Sequence, residues 1–475
     1  MSLKRQEGFA LIAVMGLAAL VTVVAIGGFV LSQQVLHESS RVQNESKAFQ
    51  VAQSGLDREL AGFTEANLVD GAFERSGSTS DGVYTVTVAA LAGSEFEYVM
   101  TSAGTADGEE ESVSMRFFYL DLWNMNIGAG ESAAMGGGRG WNGNASIDGP
   151  LYVRGDLEWS ANAVYEGGPL FIRDGGLDVS GSGELGKADP IKLYATDGII
   201  DGANQVYLDG PISSSVPDID LPWIDEAFLD NALQTAMDES VDNFMGVPSR
   251  ILGNTEATGA NPATYPSLRA LSSPASTSEY YKYIGPSAGR SDLNDGSTFM
   301  EIDSVSFGSW DGNGYPVGSG KHDDFAYDFG AGTLYVEGTV FIDGDLHIGP
   351  SVHNYVGNGT LIVNGDIFIG AEFGPRDGLA AEQAIGLVAA GDIVIGDNAH
   401  SGNVRAHYTG AIFCNGTVEL YHTATSYEGS ILAANIYGDK PDIHLTTNPV
   451  LPTVLPESMP GAGGGIVFPG TWTRN

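Results

Sequence analysis

The sequence is poor in cysteine, in positive charge, and in charge of any kind. One cysteine, Cys414, stands in 475 residues. That excludes an internal disulfide and any zinc site built on several thiolates. Lysine and arginine number 21 against 60 acids, a formal charge of −39. Nucleic-acid binding rests on basic patches that neutralise phosphate, so no nucleic-acid partner is expected. Charged residues make up only 17% of the chain, and the excess acid suits a solvated extracellular surface. Long apolar runs are also scarce: there is one.

That run, Phe9–Leu31, reads FALIAVMGLAALVTVVAIGGFVL, without a charge or a proline. As a helix it is roughly 34 Å long, enough to cross a hydrocarbon core of about 30 Å. Lys4 and Arg5 precede it and hold the N-terminus in the cytoplasm by the positive-inside rule. Beyond it, Val35, Val42, Phe49, Ala52, Leu56, Leu60 and Phe63 recur at helical steps. One helix over residues 9–63 is expected, apolar all round in its first half and one-sided in its second. A secretory signal would have a shorter apolar region and a cleavage site beyond it; Ala25-Ile26-Gly27 is the only candidate, and the run continues past it.

The stretch RQEGFALIAVMGLAAL resembles the class III signal of type IV pilins and pseudopilins, and SKAFQVAQSGLDREL (46–60) resembles the N-terminal domain of PilX-type minor pilins. The resemblance covers residues 4–62. It implies cleavage by prepilin peptidase between Gly8 and Phe9, removing a leader of residues 1–8, and methylation of the new Phe9 amine. It implies other pilins and minor pilins as partners, through an assembly helix carrying Ala13, Phe49 and Ala52. It also implies an inner-membrane precursor that leaves for an extracellular pilus. Shaft pilins carry glutamate at the fifth mature position; here that position is Ala13. A carboxylate without a partner is costly in a membrane, so its absence suits a minor or tip subunit.

Residues 64–124 begin with a polar linker and continue with three β-rich segments, GVYTVTVAAL, FEYVMTSAGTADG and EESVSMRFFYLDLW. They read as an antiparallel meander packed on the helix, the pilin head. A glycine-rich stretch after Met125 lacks the GK[ST] ending of a phosphate loop.

An internal repeat follows. LYVRGDLEW (151–159), LYVEGTVFI (334–342), LIVNGDIFI (361–369), LVAAGDIVI (387–395) and IFCNGTVEL (412–420) align without gaps. Gly338, Gly365, Gly391 and Gly416 stand at spacings of 27, 26 and 25 residues, and Gly155 holds the same place in the first copy. Strand–glycine–strand at this period is too short for a propeller blade and fits the rung of a parallel β-helix, with these five glycines at its corners. The expected fold is mainly β: the long helix, the small meander, then a solenoid in two parts, 125–212 and 326–440. An insertion over 213–325 carries a helix at 221–244, and a Pro/Gly-rich tail occupies 441–475. The insertion is the natural place for a recognition lobe.

No catalytic residue stands out. Acids are too common to single out a pair: Asp343/Asp345, Asp323/Asp324 and Asp392/Asp397 are equal candidates. His400 and His407 share a loop region and could bind a metal, but solvated loop histidines are the favoured reading. Asp292-Leu-Asn294-Asp-Gly296 imitates a calcium loop, but its glycine comes one place early. No cofactor is called for, and calcium is the one ion worth a test. Arg154-Gly155-Asp156 spells an adhesion tripeptide inside a repeat that gives its glycine a structural duty. The favoured reading is a non-enzymatic PilX-like minor pilin that primes assembly or sits near the tip and displays an adhesive head, with a surface or carbohydrate ligand. The alternatives are a surface-anchored β-helix enzyme or carbohydrate-binding protein, and a type II secretion tip pseudopilin.

Overall fold

The computed structural model describes residues 3–63, 72–91, 97–135, 145–160, 162–197, 200–214, 216, 218–239, 251–253, 299–302, 325–370, 373–376, 383–396, 405–421, 424–438, 443–446, 458–460 and 465–474. The chain divides into two compact units, residues 1–119 with 467–475, and residues 120–466.

The first unit is one helix on one sheet. Helix α1 (Leu3–Ala61) is continuous over 59 residues. Strands β1 (Ala72–Ser78), β2 (Val83–Ala90), β3 (Glu97–Ala106) and β4 (Glu109–Asp121) pair antiparallel in chain order. A fifth strand, Gly465–Arg474, lies beside β4. The sheet therefore exceeds the expected three-stranded meander at both ends. β1 falls in what reads as a polar linker: AFERSGS is the composition of an edge strand, half solvated and not densely apolar. The last strand comes from the supposed tail.

β2 and β3 alternate in burial, and their inward side chains Tyr84, Val86, Val88 and Met100 meet Ala48, Val51, Ala52 and Leu56 of α1. Phe63, just past the helix, sits edge-on to Phe117 and Tyr119 at ring separations of 5.0 and 5.2 Å. Lys47 donates to the Asp107 carboxylate at 2.7 Å across the open end of this packing.

The second unit is a parallel β-solenoid with three faces. On the first face the hydrogen-bonded order is Ile251–Gly253, Gly338–Asp343, Gly359–Val363, Ile385–Ala389, 410–414, 429–433, 127–129, Leu151–Val153, Leu170–Ile172, Leu193–Ala195. The two repeat blocks thus stack in reverse chain order. Residues 431–433 pair with 127–129, so the last turns of the chain lie directly against the first. On the third face Ile443–Thr446 pairs with Ala145–Asp148, so one turn of the solenoid is assembled from both ends of the unit. This seam is lined by Ile127, Ile431, Leu151 and Leu445, all buried.

The segment expected as an insertion is partly solenoid. Ile251–Gly253 and Phe299–Ile302 pair with 341–343 and 345–348 and form a turn at one end. After Ser213 the chain returns along the outside of the first face. The Ile219 amide donates to the Tyr152 hydroxyl at 3.3 Å, Ile224 is held by Asn415, and α2 (Glu226–Glu239) packs on Gly338–Asp343. The helix begins at Glu226 and not at the expected 221 because the Asp225 carboxylate caps it, accepting the Phe228 amide at 2.8 Å, and residues 240–244 lie outside the described residues.

This strap explains a difference between faces. Leu151–Val153, Leu170–Ile172, Gly359–Val363 and Ile385–Ala389 are buried at every position, as in a sheet covered on both sides. In the first block Leu157–Trp159 and Leu177–Val179, on the second face, bury only alternate residues, whereas Ile367–Ile369 of the second block is buried throughout. Inside the third face Tyr355, Phe373, Tyr408 and Tyr427 stack at centroid separations of 5.0, 6.1 and 5.1 Å. The hydroxyls of Tyr355, Tyr408 and Tyr427 donate to the main-chain carbonyls of Thr409, Ile385 and Gly410 respectively. Burial pushes all three phenols above their usual range.

Candidate functional site

Three features are candidates: the N-terminal helix, the solenoid corner, and a cavity beneath the strap.

In α1 the described side chains of Val14, Leu17, Leu20, Val24, Phe29 and Leu31 are all exposed. Thr22 turns its hydroxyl back to the Ala18 carbonyl at 2.8 Å, leaving no free polar group in the run. This half of the helix satisfies its own backbone and presents only hydrocarbon, which suits a lipid or helix-lined surrounding. Gly8, Phe9 and Ala13 lie within α1, with side chains outside the described set. Ala52 is fully buried against the sheet, and Phe49 packs at its margin. Sequence reasoning missed their counterpart, Gly104. A Cβ there would stand 2.4 Å from the Ala48 carbonyl and the Ala52 amide nitrogen. The helix backbone therefore rests on the sheet backbone, with Gly55 against the Tyr84 ring nearby. A glycine in a strand interior is the signal that would have disclosed it.

The corner between the first and second faces holds Gly155, Gly365, Gly391 and Gly416. The Gly391 amide donates to the Gly365 carbonyl at 3.0 Å and the Gly416 amide to the Gly391 carbonyl at 3.1 Å. These glycines lack a positive φ. The space for a Cβ is taken instead by the turn before: by Asp345 Oδ1 at Gly365, Asp366 Oδ1 at Gly391 and Asp392 Oδ1 at Gly416. Each carboxylate accepts an amide of the next turn, Asp345 from Asp366 at 2.9 Å, Asp366 from Asp392 at 2.7 Å, and Asp392 from Thr417 at 2.7 Å. Asp156 does the same for Gly176 at 2.9 Å. Gly-Asp is thus a structural pair, and these carboxylates form a ladder.

Gly338 belongs elsewhere. It pairs with Gly359, at φ +64, and Val340 lies opposite Leu361. The true equivalent of Gly365 is Gly344, whose backbone lies 2.8 Å from the Gly365 Cβ position. The gapless alignment slipped by six residues because VEGTV and IDGDL share the same apolar–glycine pattern.

Arg154 of the Arg154-Gly155-Asp156 tripeptide is engaged within the fold. It pairs with Asp220 at 3.4 Å and Asp218 at 3.7 Å of the strap, and Arg173 reaches Asp218 at 3.0 Å. Cys414 is buried, and desolvation holds its thiol far above the usual range, against a nucleophilic role. Among the described residues no cluster of three His, Cys, Asp or Glu could hold a metal. Asp292–Gly296, Asp323, Asp324, Asp397 and His400 lie outside the described residues, as does the His407 side chain.

No family model matches the sequence, and no curated protein does. Among solved structures, the competence-associated pilin ComZ from Thermus thermophilus is similar at 16% identity. The match covers 91% of this chain and 97% of that one, with a TM-score of 0.42.

The third feature is a cavity of about 190 Å³ between the strap and the turns at the seam, bordered by Glu131, Arg154, Asp220, Trp223 and Asn415. Asn415 fastens the strap at its edge with two hydrogen bonds, to the Ile224 amide at 2.8 Å and the Ile224 carbonyl at 2.6 Å.

Proposed function

We propose that the chain is a structural subunit of a type IV pilus, a PilX-like minor pilin placed near the filament tip. The observation that carries the reading is α1. One unbroken helix exposes a purely apolar half and docks its other half through Ala48, Ala52 and Gly104 onto an antiparallel sheet. The apolar half anchors a precursor in the inner membrane and later packs among the helices of other pilins. Prepilin peptidase cuts between Gly8 and Phe9, and the Phe9 amine is methylated. Ala13 supplies no carboxylate for a neighbour above, which favours the tip. The solenoid supports this placement, because 347 residues of head would crowd a shaft whose helices lie side by side.

Its role is assembly and display, with no reaction assigned to it. Epitope-labelled protein is expected at filament ends and in few copies per pilus, seen by immunogold microscopy. Loss of the gene should reduce piliation or adhesion. Label spread evenly along the shaft would defeat the tip placement.

A further inference from the structure

Trp223 is exposed over 66% of its surface, while Ile219 and Ile224 on the same strap are buried. Burying the large apolar surface of an indole is favourable, and the strap forgoes it. Flexibility does not account for this. One residue on, Ile224 is clamped through both its backbone groups by Asn415. Three residues back, Asp220 is paired with Arg154. The ring is held out between two fixed points, at the mouth of the cavity of about 190 Å³.

The cavity has small residues, Gly130, Ala433 and Ala434, in its wall, so its base admits a flat body. Its polar border is fixed beforehand. Glu131 accepts from the Asn435 amide at 3.1 Å and Asp220 from Arg154 at 3.4 Å. A carboxylate has about four lone-pair sites, so each retains acceptor capacity. The matching ligand carries hydroxyl donors and a face of C–H groups to lie on the negative face of an indole. The one cation at the border, Arg154, is already paired with Asp220, so the border carries a net negative charge, which with the chain's −39 disfavours an anion. The volume is below the roughly 300–1,000 Å³ of pockets that enclose drug-sized ligands, so one ring fits and a larger body does not.

We infer that Trp223 and this cavity form a subsite for one neutral sugar ring of a glycan chain. The site lies wholly within the solenoid unit and does not depend on the pilin assignment. A single stacked ring gives weak binding, with half-saturation in the millimolar range, about −4 kcal/mol.

The test titrates the full chain in detergent micelles with cellohexaose, maltohexaose, chitohexaose and a mannan, with alginate as the anionic counterpart. Binding is read by tryptophan fluorescence and by retention on the insoluble polymers. At least one neutral glycan is expected to bind. Trp223→Ala should raise its half-saturating concentration about tenfold or more without lowering the melting temperature, because the ring is exposed. Glu131→Gln should weaken binding several-fold. Trp223→Tyr, which keeps a ring, should fall between. Failure of every neutral glycan to bind, equal binding by Trp223→Ala, or tighter binding of alginate than of any neutral glycan would each overturn the inference.

Discussion

Ile127→Asp is expected to leave no cooperatively folded solenoid. Ile127 is fully buried and stands in register between Ile431 and Leu151, where the end of the solenoid unit meets its beginning. A carboxylate there has no partner, and such burial costs several kcal/mol against a total stability of about 5–15 kcal/mol. Glu158→Gln, on the outward side of a neighbouring turn, should change stability by about 0.5 kcal/mol or less. Thermal unfolding followed by circular dichroism separates the two. A cross-link tests the same seam without destabilising it. Ser132 and Asn435 are 303 residues apart and hydrogen-bonded at 2.7 Å. Replacing both by cysteine should give a disulfide on mild oxidation, seen as faster gel migration, with buried Cys414 taking no part. An unchanged melt for Ile127→Asp and no cross-link would refute the reversed stacking.

The second large effect is expected at Gly104. Even one methyl there would lie 2.4 Å from the backbone of α1 at two points, and backbone cannot turn aside as a side chain can. Gly104→Val should cost about 3 kcal/mol or more, at the upper end of overpacking changes. The sheet unit should then melt roughly ten degrees or more lower. Because the helix is what gives way, trypsin should cut faster at Arg58, an exposed residue of its docked half. Gly104→Ala should fall between. A Val variant with unchanged melting and unchanged cleavage would mean that helix and sheet are not in close backbone contact.

The helix, the β-rich head and the solenoid are legible because each rests on local periodicity. Phe9–Leu31 can be little else than a buried or membrane helix, and strand–glycine–strand at about 25 residues cannot bury its apolar edge without stacking. The order of stacking is not legible. Every turn offers a similar Val/Ile/Leu edge, so Ile127 pairs as well with Ile431, from the far end of the unit, as with its chain neighbour Leu151, and only the three-dimensional path decides. The strap is half legible. LYV and LFI of the first block carry no charge, whereas LEW and LDV of the same turns do, and this contrast signals a covered face there without saying what covers it; in the second block IFI at 367–369 is as apolar as LIV, so the contrast is lost.

The glycines carry a similar lesson. Gly365, Gly391 and Gly416 look like corner residues chosen for backbone freedom. Their constraint is an aspartate from the turn before, which occupies the place of a side chain. Gly338 shares the local pattern and lies in another column, because spacing alone does not fix register. Gly104 and Trp223 escaped notice for opposite reasons. One is an ordinary residue in an unexpected place, where a helix touches a strand. The other looks like a core residue until its exposure is known.

Intact mass of the protein after co-expression with a prepilin peptidase tests the pilin account most directly. The account predicts a chain beginning at Phe9, lighter by residues 1–8 and heavier by one methyl group on the new amine, with cleavage blocked when Gly8 is replaced by a bulky residue. A full-length mass, or a chain beginning beyond Gly27, would contradict it.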